Sequence, residues 1–251
     1  MEKQNNSIEN KEIKNYHFVQ WNNEKIADLW AINESIPQIQ EQFYPENFYR
    51  NLIWNTHKFI KEPILDIGCG TGTLLRILSE KNDNLFGIDL SEDNCKRLNN
   101  EFQSTKKSIV VKQGKITDIP FEDNYFKTIF CTETFEHVLP EDLPIGLKEI
   151  HRVMKEDGHL IATIPYNERI SYVVCPDCHA IFPPYQHMQS FDKDKIKKLL
   201  INAKLYPVYL KRIPLLSMTN SVFKDMAVLF IRQLPFTRYL FGSQFLVVGK
   251  K

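Results

Sequence analysis

The stretch Pro63–Gly72 reads Pro-Ile-Leu-Asp-Ile-Gly-Cys-Gly-Thr-Gly, in which an apolar run leads directly into three glycines at alternate positions. The segment after it has a helical period, so the local order is strand, turn and helix. Glycines at such a turn let the backbone bend tightly and bring main-chain N–H groups close to a ligand. The stretch therefore predicts a ligand site at the carboxyl end of a strand.

Two acidic residues accompany this turn and restrict the ligand. Asp66 lies two residues before the first glycine, where its negative charge would oppose a pyrophosphate and suit an ammonium group. Asp89 ends the next apolar run, the position from which an acid accepts the two hydroxyls of a ribose. A dinucleotide motif needs Gly or Ala at position 73, where this chain has Thr73. The pattern favours a nucleoside-type ligand over a nicotinamide-dependent oxidoreductase; the alternative is a purely structural turn.

Apolar runs and segments of helical period alternate along the middle of the chain. The predicted strands are Pro63–Ile67, Asn84–Ile88, Ser108–Lys112, Thr128–Cys131 and His159–Ile164, and the predicted helices between them are Thr71–Glu80, Glu92–Phe102 and Pro140–Met154. This alternation is typical of an α/β fold, a parallel sheet wrapped by helices.

The flanking segments complete a predicted organisation of one domain over residues 16–251. Residues 1–15 lack apolar periodicity and are expected to be a disordered tail. An N-terminal helical cap is expected over 16–60, and an irregular insertion over 166–191. A further helix, strand, helix and final strand are predicted at Asp192–Ala203 (with Asp192 as its N-cap), Tyr206–Ile213, Asn220–Gln233 and Gln244–Val248.

The composition excludes several classes of protein. The chain has 251 residues, of which 43% are hydrophobic and 25% charged, so disordered, collagen-like and disulfide-scaffold proteins are excluded. No apolar run approaches the length needed to span a bilayer, and the polar N-terminus has no secretory pattern. Five cysteines in such a chain predict a cytoplasmic protein with free or metal-bound thiols. The basic and aromatic residues form no recognisable nucleic-acid module, so a small-molecule partner is expected.

Five segments, in this order along the chain, carry a family resemblance: Asp66–Gly72, Gly87–Ser91, Val111–Phe121, Glu133–His137 and His151–Gly158. Over roughly residues 45–165 the chain resembles class I S-adenosylmethionine (SAM)-dependent methyltransferases of the type 11 group. The resemblance implies a Rossmann-like, seven-stranded, mostly parallel sheet flanked by helices. It also implies methyl transfer from SAM to a small-molecule or a glycan- or lipid-type acceptor. The alternative is a non-catalytic binding or scaffold protein of the same fold with a degenerate site.

The same resemblance implies a set of cofactor contacts. In that family the glycine loop cradles the amino-acid part of SAM, the acid after the second strand holds the ribose, and the loop after the third strand contacts adenine. Carried onto this chain, the cofactor-binding residues are Asp66, Gly68, Cys69, Gly70, Gly72, Asp89, Leu90, Lys115, Ile116 and Thr132. Two departures motivate the degenerate-site alternative: Lys115 replaces the usual acid of the third motif, and Lys127 replaces the Asp that usually opens the fourth strand.

In the expected reaction the protein mainly aligns the nucleophile with the methyl group of SAM and excludes water, because a methyl group on a sulfonium is already activated. An oxygen or nitrogen nucleophile would also need a proton acceptor near neutral pH. His137, just after the fourth strand, is the predicted catalytic residue, and a capping or cofactor-contacting histidine is the equal alternative. Weaker candidates are Glu136, Tyr166 and His187.

The insertion contains a candidate metal site. Cys175-Pro-Asp-Cys178 has the spacing at which two thiolates bind one zinc ion. The segment resembles a CPxC–FH–GH–SF pattern found in some type 11 methyltransferases, in which His187 matches and Pro183 replaces one histidine. Cys175, Cys178 and His187 are therefore the candidate zinc ligands, with a metal-free loop as the alternative.

One further segment bears on membrane contact. Met218–Leu234 places apolar side chains on one helical face. Such a stripe usually packs on a sheet, and the alternative is a helix that lies on a membrane surface and admits a lipid or quinone. The sequence predicts nothing about oligomeric state.

Overall fold

A computed structural model describes residues 15–39, 46–104, 107–213 and 244–251. Its strands are β1 (His17–Phe18), β2 (Ile64–Ile67), β3 (Asn84–Asp89), β4 (Ser108–Gln113), β5 (Phe126–Thr132), β6 (Met154–Pro165), β7 (Val173–Val174), β8 (Ala180–Phe182), β9 (Tyr206–Ile213) and β10 (Gln244–Lys250). Its helices are α1 (Asn23–Ser35), α2 (Glu46–Thr56), α3 (Thr73–Ser79), α4 (Glu92–Gln103), α5 (Leu143–Val153) and α6 (Lys193–Asn202), with short 3-10 helices at His57–Phe59 and Phe135–His137.

The main sheet has seven strands in the order β4-β3-β2-β5-β6-β10-β9. The first five are parallel, and β10 is antiparallel to both of its neighbours. The central strands β2 and β5 are buried along almost their whole length, because helices cover both faces of the parallel part. The predicted α/β fold with a seven-stranded, mostly parallel sheet is confirmed.

Most element boundaries follow the sequence pattern, and the differences have local causes. The predicted N-cap is confirmed, since the Asp192 side chain accepts a hydrogen bond of 2.7 Å from the Lys195 N–H. Strand β6 begins at Met154, five residues earlier than predicted, because the polar residues after α5 already belong to the strand. Within the helical cap expected over 16–60, helix α2 ends at Thr56 and continues as one 3-10 turn.

The insertion is more regular than predicted. Strands β7 and β8 form an antiparallel hairpin, and β1 joins β8 in parallel to make a second, three-stranded sheet. The expectation of an irregular segment over 166–191 is wrong for this part, because the partner strand comes from the distant N-terminal segment. The predicted tail 1–15, apart from residue 15, and the helices Asn220–Gln233 and Met218–Leu234 lie outside the described residues. The single domain over residues 16–251 stays a prediction. Within the described ranges, no helix combines the length and apolar character needed to cross a bilayer.

Arg152, near the end of α5, anchors the loop that leads into β5. Its guanidinium donates to both carboxylate oxygens of Glu149 at 2.7–2.8 Å and to Asp123 Oδ1 at 2.7 Å. It also donates to the main-chain carbonyls of Phe121 and Ile119, each at 2.9 Å. The arginine thus provides partners for two carbonyl groups as well as forming ion pairs.

Replacing Arg152 with Ala is therefore expected to lower the free energy of unfolding by about 2 kcal/mol, mainly because two carbonyls lose their donor. Arg50 is the matched control, since it also pairs with two carboxylates, Glu46 and Glu80, but on the exposed surface. Arg50→Ala is expected to change stability by about 0.5 kcal/mol or less. Urea unfolding measures both, and equal effects would contradict the role of Arg152.

Candidate functional site

A cavity opens at the carboxyl ends of β2, β3 and β5, the edge at which parallel α/β sheets bind ligands. It encloses about 810 Å³ including its open mouth, a size suited to a small-molecule ligand. Helix α1 crosses one side of it and contributes Ile26, Trp30 and Glu34. Seven of the predicted site residues line this cavity: Gly68, Gly70, Asp89, Leu90, Lys115, Ile116 and His137.

Four predicted cofactor residues, Asp66, Cys69, Gly72 and Thr132, lie behind the cavity lining. A Cβ atom at Gly72, where φ is +82°, would lie 2.4 Å from Leu98 Cδ2, so only glycine fits this start of α3. Thr132 hydrogen-bonds the buried hydroxyl of Tyr49. The structure therefore places all four beneath the cavity surface, where Cys69, Gly72 and Thr132 shape the loop.

The glycine loop is tied to the end of β3. The N–H groups of Gly68 and Cys69 donate to the carbonyl of Ile88 at 2.8 and 3.1 Å. The N–H of Gly70 donates to Asp89 Oδ2 at 3.0 Å, while Asp89 Oδ1 accepts from the Ser91 N–H at 2.9 Å. Asp89 is thereby held in one orientation with its carboxylate on the cavity wall.

Glu34 is a site residue that sequence reasoning missed. Its carboxylate lies over the glycine loop, since a Cβ atom on Gly70 would be 2.7 Å from Glu34 Oε1. The Arg97 guanidinium lies 3.9 Å from its other oxygen. Glu34 is 6% exposed, and this burial, with the charge of Asp89, raises its pKa to about 8. No pattern in the sequence of α1 marks this residue, because its role depends on how the helix lies against the cavity.

Asp66 is a second carboxyl that burial keeps protonated. It is 2% exposed, and its Oδ1 has no hydrogen-bond partner among the described residues. Burial, followed by the charge of Asp89, raises its pKa to about 8. Two carboxyls near the glycine loop are thus largely neutral at pH 7, and a cationic group bound at the loop would favour their ionised forms.

Glu133 also lines the cavity. Sequence reasoning did not select it as a site residue, although it lies in the segment Glu133–His137 that carries the family resemblance. Its backbone has a φ of 49°, and its N–H donates to the carbonyl oxygen of Thr163 at 3.0 Å. Gln244 Nε2 donates to Glu133 Oε2 at 2.6 Å, and Oε1 has no hydrogen-bond partner within the described ranges. Burial raises the pKa of Glu133 to about 7. The side chain is therefore fixed through Oε2, and the buried Oε1 is left without a partner in this part of the structure.

His137 lies in the 3-10 turn after β5, as expected, and lines the cavity. Its ring contacts Trp30 and His187, with centroid distances of 4.7 and 4.9 Å. Burial, followed by the charge of His187, lowers the pKa of His137 to about 3, so its imidazole is neutral at pH 7. Because its protonated form is strongly disfavoured, His137 is a weak base in this environment, and its catalytic role stays a prediction. Tyr166, a weaker candidate, packs between Phe245 and Arg212 and does not line the cavity.

The cysteine pair lies in the turn between β7 and β8. The N–H groups of Cys178 and Asp177 donate to the sulfur of Cys175, which lowers the pKa of that thiol. His187 lies elsewhere: in the described part of the chain, its ligand atom groups with those of Glu136 and His137. The structure thus does not bring together the predicted set Cys175, Cys178 and His187, because the segment after the hairpin folds back onto the end of β5. Zinc binding by the cysteines stays a prediction.

Residues 65–162 match the family model described as a methyltransferase domain. An uncharacterized methyltransferase from Staphylococcus carnosus is 32% identical over 120 residues, which are 45% of this chain and 55% of that protein. A demethylmenaquinone methyltransferase from Symbiobacterium thermophilum is 29% identical over 157 residues, covering 59% of this chain and 61% of that protein. The chain therefore matches little more than half of the length of these relatives.

Solved structures show the same fold over more of the chain. The 1,6-didemethyltoxoflavin-N1-methyltransferase of Burkholderia thailandensis, solved with 1,6-didemethyltoxoflavin and S-adenosylhomocysteine (SAH), has a TM-score of 0.65 at 17% identity, covering 93% of this chain and 91% of that one. A SAM-dependent methyltransferase from Archaeoglobus fulgidus has a TM-score of 0.58 at 19% identity, covering 85% and 98%. At sequence identities of 17% and 19%, these similarities show a shared fold and nothing more.

Proposed function

We propose that this chain is a SAM-dependent methyltransferase. The observation that carries the proposal is the clamp between the glycine loop and Asp89, in which the Gly70 N–H is bonded to a carboxylate on the cavity wall. The residues present fit the cofactor, because the loop has no side chain at Gly68 or Gly70 and a buried Asp66 oxygen has no partner in the described structure. The matched methyltransferase-domain segment, residues 65–162, contains this loop and clamp.

Each side of the clamp has a proposed task. When bound, SAM supplies a methyl group on a sulfonium centre. Asp89 accepts hydrogen bonds from the two ribose hydroxyls, since each of its oxygens has further lone pairs beyond the amide it already binds. Leu90 and Ile116 provide apolar walls for the adenine, and Lys115 lies beside them. Glu34 faces the positive charge of the amino-acid part, and Asp66 balances that charge from beneath the loop without lining the cavity. Cys69, Gly72 and Thr132 keep the loop in shape.

The acceptor is proposed to be a small, largely apolar molecule, of aromatic or lipid type. Ile26, Trp30 and Val138 give the far side of the cavity an apolar lining. Relatives named a sterol 24-C-methyltransferase and a sphingolipid C9-methyltransferase match this chain at 34% and 33% identity, over 38% and 39% of the chain respectively. Glu133, rather than His137, is proposed to take the proton of an acceptor hydroxyl, because it lines the cavity and its Oε1 has no hydrogen-bond partner among the described residues. A cytoplasmic location and the absence of a nucleic-acid partner stay predictions from the sequence.

Isothermal titration calorimetry tests the proposal. SAM and SAH are expected to bind with one site per chain, and NAD is the control that is expected not to bind. Transfer of a labelled methyl group to extracts fractionated by polarity then identifies the acceptor class. A folded protein that binds neither SAM nor SAH would overturn the proposal and favour the non-catalytic scaffold alternative.

A further inference from the structure

We propose that Glu136, His137 and His187 form a site for a divalent transition-metal ion at the acceptor side of the cavity. The three residues each offer one ligand atom, and these atoms all lie within 4.8 Å of one another. Two imidazoles and one carboxylate suit zinc, manganese, iron or cobalt rather than calcium or magnesium. This set shares only His187 with the cysteine-based site that the sequence predicts.

Glu136 provides an independent argument for a cation at this place. Its side chain is 1% exposed, and neither carboxylate oxygen has a hydrogen-bond partner among the described residues. A buried carboxyl without partners is unfavourable and is usually found paired or bound to a metal. The main-chain carbonyl of Glu136 accepts from the Met188 N–H at 2.7 Å, so the backbone is fixed and the carboxylate alone is left without a partner.

In both histidines an oxygen atom lies beside Nδ1. Glu168 Oε2 lies 2.5 Å from His187 Nδ1, and the carbonyl oxygen of Gln186 lies 3.4 Å from His137 Nδ1. Carboxylate and carbonyl oxygens only accept, so Nδ1 is the protonated nitrogen in both neutral rings and Nε2 keeps the lone pair. A carboxylate or carbonyl bonded to the second nitrogen is the usual support of a metal-bound histidine.

Two buried glutamines fix the segment that brings His187 to the other two residues. Gln186 Nε2 donates to the carbonyl of His137 at 3.1 Å, and its Oε1 accepts from Trp30 Nε1 at 2.8 Å. Gln189 Nε2 donates to the carbonyls of Phe135 and Val138 at 3.3 and 3.1 Å. The ligands are thus held by contacts among α1, the turn after β5 and the insertion, which is the preorganisation that a metal site requires.

The position of the site suggests what the ion does, and this part rests on the proposed function. Three protein ligands leave coordination positions open, as in catalytic rather than structural metal sites. His137 lines the cavity, so an open position would face the acceptor. The acceptor would then be a molecule with an oxygen that binds the metal, held beside the cofactor methyl group.

The test uses the full chain, freed of metal by a chelator, and needs neither cofactor nor acceptor. Co²⁺ is expected to bind one equivalent per chain with visible ligand-field absorption, and Zn²⁺ to displace it. His187→Ala and Glu136→Gln are each expected to weaken Co²⁺ binding at least about tenfold. Glu168→Gln is expected to weaken it by about 10- to 100-fold through the orientation of His187.

The control variant is Cys175→Ser combined with Cys178→Ser, which is expected to keep the Co²⁺ spectrum. Circular dichroism confirms that each variant is folded, and His187→Ala remains informative if Glu136→Gln fails to fold. Folded wild-type protein that binds no Co²⁺ or Zn²⁺ would overturn the proposal. So would binding that survives His187→Ala and disappears in the cysteine variant. SAM binding measured on the same samples shows separately whether the proposed function holds.

Discussion

Replacing Asp89 with Ala is expected to weaken SAM binding by about 100-fold or more. The substitution removes the acceptor proposed for two ribose hydroxyls, and each hydrogen bond to a charged group contributes about 1.5–3 kcal/mol. It also removes the acceptor of the Gly70 N–H, so the loop that should enclose the amino-acid part of SAM loses its anchor to β3. Calorimetric titration with SAM and SAH measures the change.

Asp83 offers a matched control for this substitution. It precedes the first residue of the same strand, at the opposite end of β3 from Asp89, and its side chain is 78% exposed in an ion pair with Lys107. Asp83→Ala removes the same charge and is expected to leave SAM affinity within about twofold of wild type. If Asp89→Ala also bound SAM within about threefold of wild type, the assignment of Asp89 to the ribose would be wrong.

The clamp and the sheet could be predicted because their determinants are local. The glycine turn and Asp89 each follow directly from a strand, and parallel strands bring their carboxyl ends to one edge. The run of apolar and helical segments gives the order of elements without any tertiary information. The family resemblance, rather than the local pattern, adds Leu90, Lys115 and Ile116 to the expected cofactor contacts, and the structure puts all three on the cavity wall.

The residues that sequence reasoning missed depend on contacts between distant parts of the chain. Glu34 reaches the glycine loop because α1 lies along the cavity, a position supported by the 3.2 Å hydrogen bond from Asn23 to Asp142. His187 meets His137 because Gln186 bonds the turn after β5, 49 positions earlier in the chain. Neither contact produces a recognisable spacing of residues in the sequence. The family pattern therefore groups His187 with Cys175 and Cys178.

The binding of SAM is also expected to depend on pH in a direction set by the buried carboxyls. Burial raises the pKa values of Glu34 and Asp66 to about 8, so in the empty protein both hold protons at pH 7. A bound cation stabilises their ionised forms and lowers these pKa values, so binding releases protons. Affinity is then expected to rise by up to about tenfold per pH unit for each carboxyl between pH 6 and 7.5, and to level off near pH 8.

The raised pKa values of Glu34 and Asp66 also predict that the stability of the cofactor-free protein falls with pH, whereas SAM affinity rises. A carboxyl whose pKa is raised by folding stabilises the fold when protonated, and this contribution is lost as the pH rises from its ordinary value near 4 to about 8. The melting temperature of the cofactor-free protein should therefore fall over that range, while the increase in melting temperature produced by SAM should grow. Thermal melts with and without SAM at each pH measure both trends.

Glu34→Gln separates this linkage from the titration of SAM itself, whose amino group loses its proton near pH 8. The amide cannot ionise, so the variant should release fewer protons on binding and show a shallower pH dependence between pH 6 and 7.5. Calorimetry in buffers of different ionisation enthalpy counts the protons directly. Equal proton release by the variant and the wild type would show that Glu34 does not face the cationic part of SAM, and the charge would then have to be balanced by Asp66 alone.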